Sequence, residues 1–191
     1  VADHVVDTNV LIVASAADPA SPFKDTHVPT SERRIVFAWL KEFRADDGRR
    51  LVMDRARGIL REYRKKLTPQ DYGIVVAMEK LRTTAFVSVK YDGEYAVVPE
   101  GLARFDNSDK KLVAAHLAHR ADGGQSTIVN ACDTDWHEHE EALSAEGVVV
   151  EQLLPAWCQR EFWRKNPEKM PPRAGDREQD RADPPDHGAT R

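Results

Sequence analysis

Short runs rich in β-branched residues alternate along this chain with longer segments whose apolar residues recur every three or four positions. HVVD at 4–7, RRLVMD at 49–54, STIVNA at 126–131 and GVVVEQL at 147–153 have strand length. Their apolar centres suit strands covered on both faces. Between them, Ile35, Val36, Trp39, Leu40 and Phe43 mark a helix over 32–44 that Ser31 would cap, and Ile59, Leu60, Tyr63 and Leu67 mark another within 55–67. Leu112, Val113, His116 and Leu117 mark a third, entered through Asp106 and Asn107 as caps. Residues 70–82 and 136–146 also read as helical, and 10–16 as either a continuation of the first strand or a first helix. This alternation predicts an α/β fold: a three-layer α/β/α arrangement around a mainly parallel sheet.

Two segments stand apart from that pattern. In TAFVSVKYDGEYAVVPE, two β-rich runs flank Asp92-Gly93, which predicts a β-hairpin insertion. From residue 165 the chain is charged, Pro-rich and nearly without large apolar groups, which predicts a disordered C-terminal tail over 165–191 behind one domain over 1–164. A chain of 191 residues is long enough to bury a sizeable core. No stretch approaches the roughly 18 apolar residues that cross a bilayer, and no secretory start is evident, so the expectation is a soluble, cytoplasmic protein without a membrane partner. Cys132 and Cys158 have neither disulfide-framework nor zinc-site spacing.

The net charge of −4 excludes a generally basic nucleic-acid binder, but its distribution is uneven. Residues 49–66 carry eight basic side chains against Asp54 and Glu62, a local balance of +6 that leaves −10 elsewhere. Such a stretch is either a solvated helix face or a guide for a polyanion.

The acids carry the chemistry. Asp7 ends an apolar strand, where an unpartnered carboxylate costs several kcal/mol or takes up a proton. Glu62 borders the apolar stripe of its helix, Asp109 begins the apolar face of the third, and Asp133 and Asp135 follow STIVNA directly. Taken singly, each has an ordinary explanation: attraction to a helix N-terminus for Asp109, turn chemistry for Asp133 and Asp135. Together they lie after strands of a parallel sheet, where ligand sites form, and carboxylates converging there repel one another unless a cation neutralises them. Oxygen-only ligands suit Mg²⁺ or Mn²⁺.

VVDTNVLI, the Glu62 helix, SDKKLVAAHLA and NACDTDW occur in an order and spacing that resembles PIN domains, over roughly residues 3–151. DTN alone is weak, but D-x-x-L-V-A-A-x-x-A followed by a strand and D-x-D-W is specific as an ensemble. The resemblance implies a Mg²⁺- or Mn²⁺-dependent nuclease that cuts RNA, as VapC-type toxins do, with DNA as the alternative substrate. It implies catalytic and metal roles for Asp7, Glu62, Asp109 and Asp133, with Asp135 as a fifth metal acid. A protein inhibitor or antitoxin, and a second copy of the chain, are the protein partners it allows. Asn9 would orient a ligand carboxylate or the scissile phosphate, and Arg57, Arg61 and Lys65 would grip the polymer backbone. The chain departs from compact toxins in its loop between Ala17 and Thr30, in an insertion around 70–100 and in Trp136, where Phe is more usual.

Other residues fit blander roles. His137 and His139 diverge by about 200° on a helix and cannot readily share a metal. His116 reads as a hydrogen-bonded core residue. Trp157, Phe162 and Trp163 suit a helix that covers the core or a partner. Haloacid-dehalogenase-like phosphatases also use an Asp after the first strand, but they require DxD where this chain has Asp7-Thr8-Asn9. A catalytically silent PIN scaffold that binds RNA or protein is the non-enzymatic alternative.

Overall fold

The apolar runs become β1 (Asp3–Val6), β2 (Leu51–Asp54), β3 (Phe86–Val89), β4 (Ser126–Asn130) and β5 (Val150–Gln152). They form one sheet of order β3-β2-β1-β4-β5 in which every pairing is parallel. The computed structural model describes residues 3–91 and 96–170. All four residues of β1 and of β2 are buried, as central strands covered on both faces require.

The sheet lies between helices. On one face, α1 (Thr8–Ala17), α2 (Thr30–Ala45) and α4 (Tyr72–Arg82) pack on one another; α5 (Lys110–Ala121) packs across β1, β2, β3 and β4. The α3 helix (Gly58–Lys66) touches β2, α1 and α5. Residues 10–16 are therefore helical, and α1 is apolar nearly all round because it is wedged between the sheet and α2 and α4. Gly73 permits that wedge: a Cβ there would stand 2.5 Å from the Leu11 carbonyl oxygen. In α2, Val36, Trp39, Leu40 and Phe43 are buried, but Ile35 is exposed. Asp54 ends β2 and caps α3, accepting from the amides of Gly58 (2.7 Å) and Ile59 (2.9 Å).

Several expectations need correction. Ser31 is not the cap of α2: Pro29 precedes the first helical residue and the Ser31 hydroxyl bonds Glu32. Asp106 and Asn107 do not cap α5 with their side chains, because Asp106 accepts from Ser108 and Asn107 from the Lys110 ammonium. The first run of the expected hairpin is instead the parallel edge strand β3, while residues 97–99 form no strand and the turn at Asp92-Gly93 lies outside the described residues. The helix expected over 136–146 is two short ones, α6 (Asp135–Glu138) and α7 (Glu140–Ala145), parted at His139.

α8 (Pro155–Lys165) buries Trp157, Cys158 and Phe162 and packs on α6, so its aromatic face covers this chain's own core. The expected disordered tail does not begin at residue 165, because Lys165 ends α8 and Pro167–Lys169 form a short 3-10 turn with Lys169 paired to Glu138. The rest of the tail, beyond Met170, lies outside the described residues. His116 is buried, its Nδ1 2.9 Å from the Ser126 hydroxyl, and burial pushes its pKa down to about 4, which keeps it neutral in the core. Among the described residues, Cys132 and Cys158 are free thiols and no helix is long and apolar enough to cross a membrane.

Candidate functional site

The strand order reverses between β1 and β4, and the C-terminal ends of two strands that diverge in this way open a crevice. Asp7 leaves β1 there, with its amide bonded to the Val129 carbonyl of β4 (3.0 Å). Asp133 lies in the loop after β4, Asp109 at the start of α5, and Glu62 one turn into α3. These four acids line one cleft of about 590 Å³, together with Asn9, Arg61, Lys65, Lys66 and Lys111. Arg57 and Asp135 are not in its lining. Arg57 instead takes a left-handed backbone conformation (φ 59°) at the start of α3, and its side chain is exposed.

Each acid is held differently. The Asp7 carboxylate, only 4% exposed, accepts the Asn9 amide on Oδ1 (3.0 Å) and the Trp136 indole N–H on Oδ2 (2.8 Å). Asp109 is 6% exposed, makes no capping bond and has only the Ser108 hydroxyl near it, at 3.4 Å. Helix capping therefore does not account for it. The Asp133 Oδ1 accepts the Asp135 amide (2.9 Å), so Asp135 serves the cleft through its backbone. Glu62 takes the Thr8 hydroxyl on one oxygen (2.7 Å) and pairs with the Lys111 ammonium through the other.

Asn9 works inward. Its Nδ2 donates to Asn130 Oδ1 (2.8 Å), its Oδ1 accepts from the Ala131 amide (2.8 Å), and Asn130 in turn donates to the Asp133 carbonyl (2.9 Å) and accepts the Asp133 amide (3.1 Å). Both polar ends of Asn9 thus lock the loop that carries Asp133 instead of pointing at a ligand. Trp136, Thr8, Asn130 and Lys111 were not singled out from sequence as site residues. Trp136 stood in the DTDW motif and Thr8 in DTN, but nothing local to either motif reveals a bond across the sheet.

The electrostatics follow from crowding without water. Burial pushes the Asp7 carboxyl up to about 7; the Asn9 and Trp136 donors pull the other way, and Asp133 and Glu62 add repulsion. Burial pushes Asp109 up to about 8, reinforced by Asp7 and Asp133 and opposed by Lys111. The two titrate as an interacting pair, both above the ordinary carboxylate range. Asp135 is also raised, by burial and then by Asp133.

Whether these residues suit a cation is a matter of donor chemistry and of spacing. Hard oxygens that are desolvated and mutually repelling fit a hard divalent ion. Among the described residues, however, no group of three His, Cys, Asp or Glu side chains is already gathered to hold a metal. Glu62 is bonded to Thr8 and Lys111, and Asp7 to Asn9 and Trp136. Asp109 and the second oxygen of Asp133 keep most of their accepting capacity.

A larger groove of about 1010 Å³, lined by Leu67 after α3 and by apolar residues of α4 such as Ile74 and Met78, contains none of the four acids. Size alone does not identify a reaction site, and the four acids line the smaller cleft. No family model, curated protein or solved structure matches the chain.

Proposed function

We propose that the chain is a divalent-metal-dependent nuclease of the PIN type, acting on RNA. One observation carries this reading: two nearly fully buried carboxylates, Asp7 and Asp109, repel each other in a cleft they share with Asp133, Glu62 and a basic wall. An acidic floor suits a cation, and Arg61, Lys65 and Lys66 beside it suit the phosphates on either side of the bond to be cut. Neither feature has an evident use in packing. The choice of RNA over DNA, and the setting of a cytoplasmic toxin held by a protein inhibitor, come from the PIN resemblance alone.

Asp7, Asp109 and Asp133 would hold Mg²⁺ or Mn²⁺. When bound, the ion supplies charge neutralisation at the phosphate and activation of a water for attack on phosphorus. The chain's own residues do the rest. Asn9 and Trp136 keep Asp7 in place whether or not an ion is present, the Asn9–Asn130 lock holds the Asp133 loop, and the basic wall fixes the polymer across the acids. Asp7 and Asp109 must shed their protons before they bind a cation. At divalent-ion concentrations too low to saturate the site, cleavage should therefore rise with pH through the interval from about 7 to about 8 in which the metal-free carboxyls titrate.

The test is incubation of the purified chain with labelled RNA and single-stranded DNA in Mn²⁺, Mg²⁺ or EDTA, beside Asp7→Asn. Cleavage of RNA that needs the ion, and that falls at least about 100-fold in Asp7→Asn, is the expected result. Cleavage that survives Asp7→Asn, or RNA binding without cleavage, would overturn it. The second outcome would favour the silent scaffold.

A further inference from the structure

Lys111 is the one cation bonded to an acid of the cleft among the described residues. Its ammonium pairs with Glu62 and also donates to the Ser108 carbonyl. The side chains of the pair are only 17% and 23% exposed. Lys111 reaches Glu62 past Gly58, where a Cβ would lie 3.8 Å from its Cδ. The other Glu62 oxygen is taken by Thr8, so Glu62, like Asp7, has a protein partner on each oxygen, but only Glu62 has a cation as one of them.

A phosphodiester-cleaving site with two ions places them about 4 Å apart and needs carboxylate oxygens facing both. Glu62 is the only one of the four acids on the α3 side of the cleft, and Lys111 already occupies it. Lys111 brings the formal charge of the four acids from −4 to −3, so it neutralises part of what a second ion would otherwise have to offset. An ammonium also meets a phosphate oxygen as a point charge, which is the service a second ion would give.

We propose that Lys111 is a tethered cation standing in for a second divalent ion at the Glu62 edge of the cleft, so that the chain takes up one divalent ion, on the side of Asp7, Asp109 and Asp133. This rests on the metal-dependent reading above. Glu62 is then a positioning residue that holds Lys111 toward the substrate phosphate, and not a ligand of the ion.

The test is a Mn²⁺ binding titration of the full chain at alkaline pH, read by the electron paramagnetic resonance signal of free Mn²⁺, with thermal melts as a check that each variant is folded. The unaltered chain and Lys111→Arg should each bind one ion. Lys111→Met should bind two. Glu62→Gln should keep the single ion with affinity within about 10-fold, while Asp109→Asn loses about 100-fold or more. Two ions on the unaltered chain, one ion on folded Lys111→Met, or a loss in Glu62→Gln as large as that in Asp109→Asn would each overturn the inference while leaving a metal-dependent nuclease intact. No uptake by the unaltered chain would overturn the inference and the nuclease reading together.

Discussion

Asp109→Asn should stabilise the metal-free protein while removing its activity. The fold holds the Asp109 carboxyl at about 8, far above its value in an unfolded chain, because burial, Asp7 and Asp133 all oppose ionisation. A carboxyl raised in this way binds more protons folded than unfolded. Stability therefore falls as pH rises from about 4, and the penalty is complete above about 8. Asparagine keeps the shape and cannot ionise. In urea titrations without divalent ions, the variant should be more stable by up to about 5 kcal/mol at alkaline pH and no more stable below about pH 4. Its nuclease activity should fall at least about 100-fold, since an amide is a poor ligand for a hard cation. Stabilisation and inactivation by one change would mark Asp109 as a residue kept for function at a cost in folding energy.

The opposite behaviour is expected of Asp71, which is fully buried at the turn before α4. It accepts the Ser21 hydroxyl (2.6 Å), the Phe23 amide (2.9 Å), and the Thr68 amide (2.7 Å) and hydroxyl (2.9 Å). Burial alone would raise this carboxyl, but the donors outweigh it and hold it below the ordinary value. A depressed carboxyl contributes stability that is present above about pH 4 and is lost as pH falls through its folded value. Asp71→Ala leaves those donors without a partner and should cost about 3–5 kcal/mol at neutral pH, read from the urea midpoint. The damage reaches the cleft. Asp71 ties the loop after α1 to the start of α4, whose Gly73 seats on Leu11 of the helix that carries Thr8 and Asn9.

These two residues show what could be read from the chain. Asp109 was legible because an acid at the head of an i+3, i+4, i+7 apolar series must enter the protein on the buried face, and it does. Asp7, Glu62 and Asp133 were legible by their places after strands, since a parallel sheet brings those ends together whatever the loops contain. Asp71 was not legible. Its most distant partner is 50 positions away, and a lone acid before a helix looks like a cap. Trp136 donates to Asp7 across 129 positions, and the Asn9–Asn130 bond spans 121, so the motifs showed the acids but not what holds them.

The β-rich runs around Asp92 are a different case. Turn chemistry predicts a local hairpin, but the first run takes a parallel place beside β2 at the sheet edge and residues 97–99 form no strand, while the turn itself lies outside the described residues. At His139, a continuous helical pattern is broken by a backbone that no local propensity announces.

The central claim is that the fold forces Asp7 and Asp109 together as reluctant anions that a hard divalent ion would relieve. It is tested most directly by pH titration of isotope-labelled aspartate carboxyl carbons by nuclear magnetic resonance, first without divalent ions and then at saturating Mg²⁺. Two carboxyls titrating near 7 and 8 in the metal-free protein, and dropping well below the ordinary carboxylate range with Mg²⁺, are predicted. Every aspartate titrating near about 4, with Mg²⁺ moving none of them, would contradict the account.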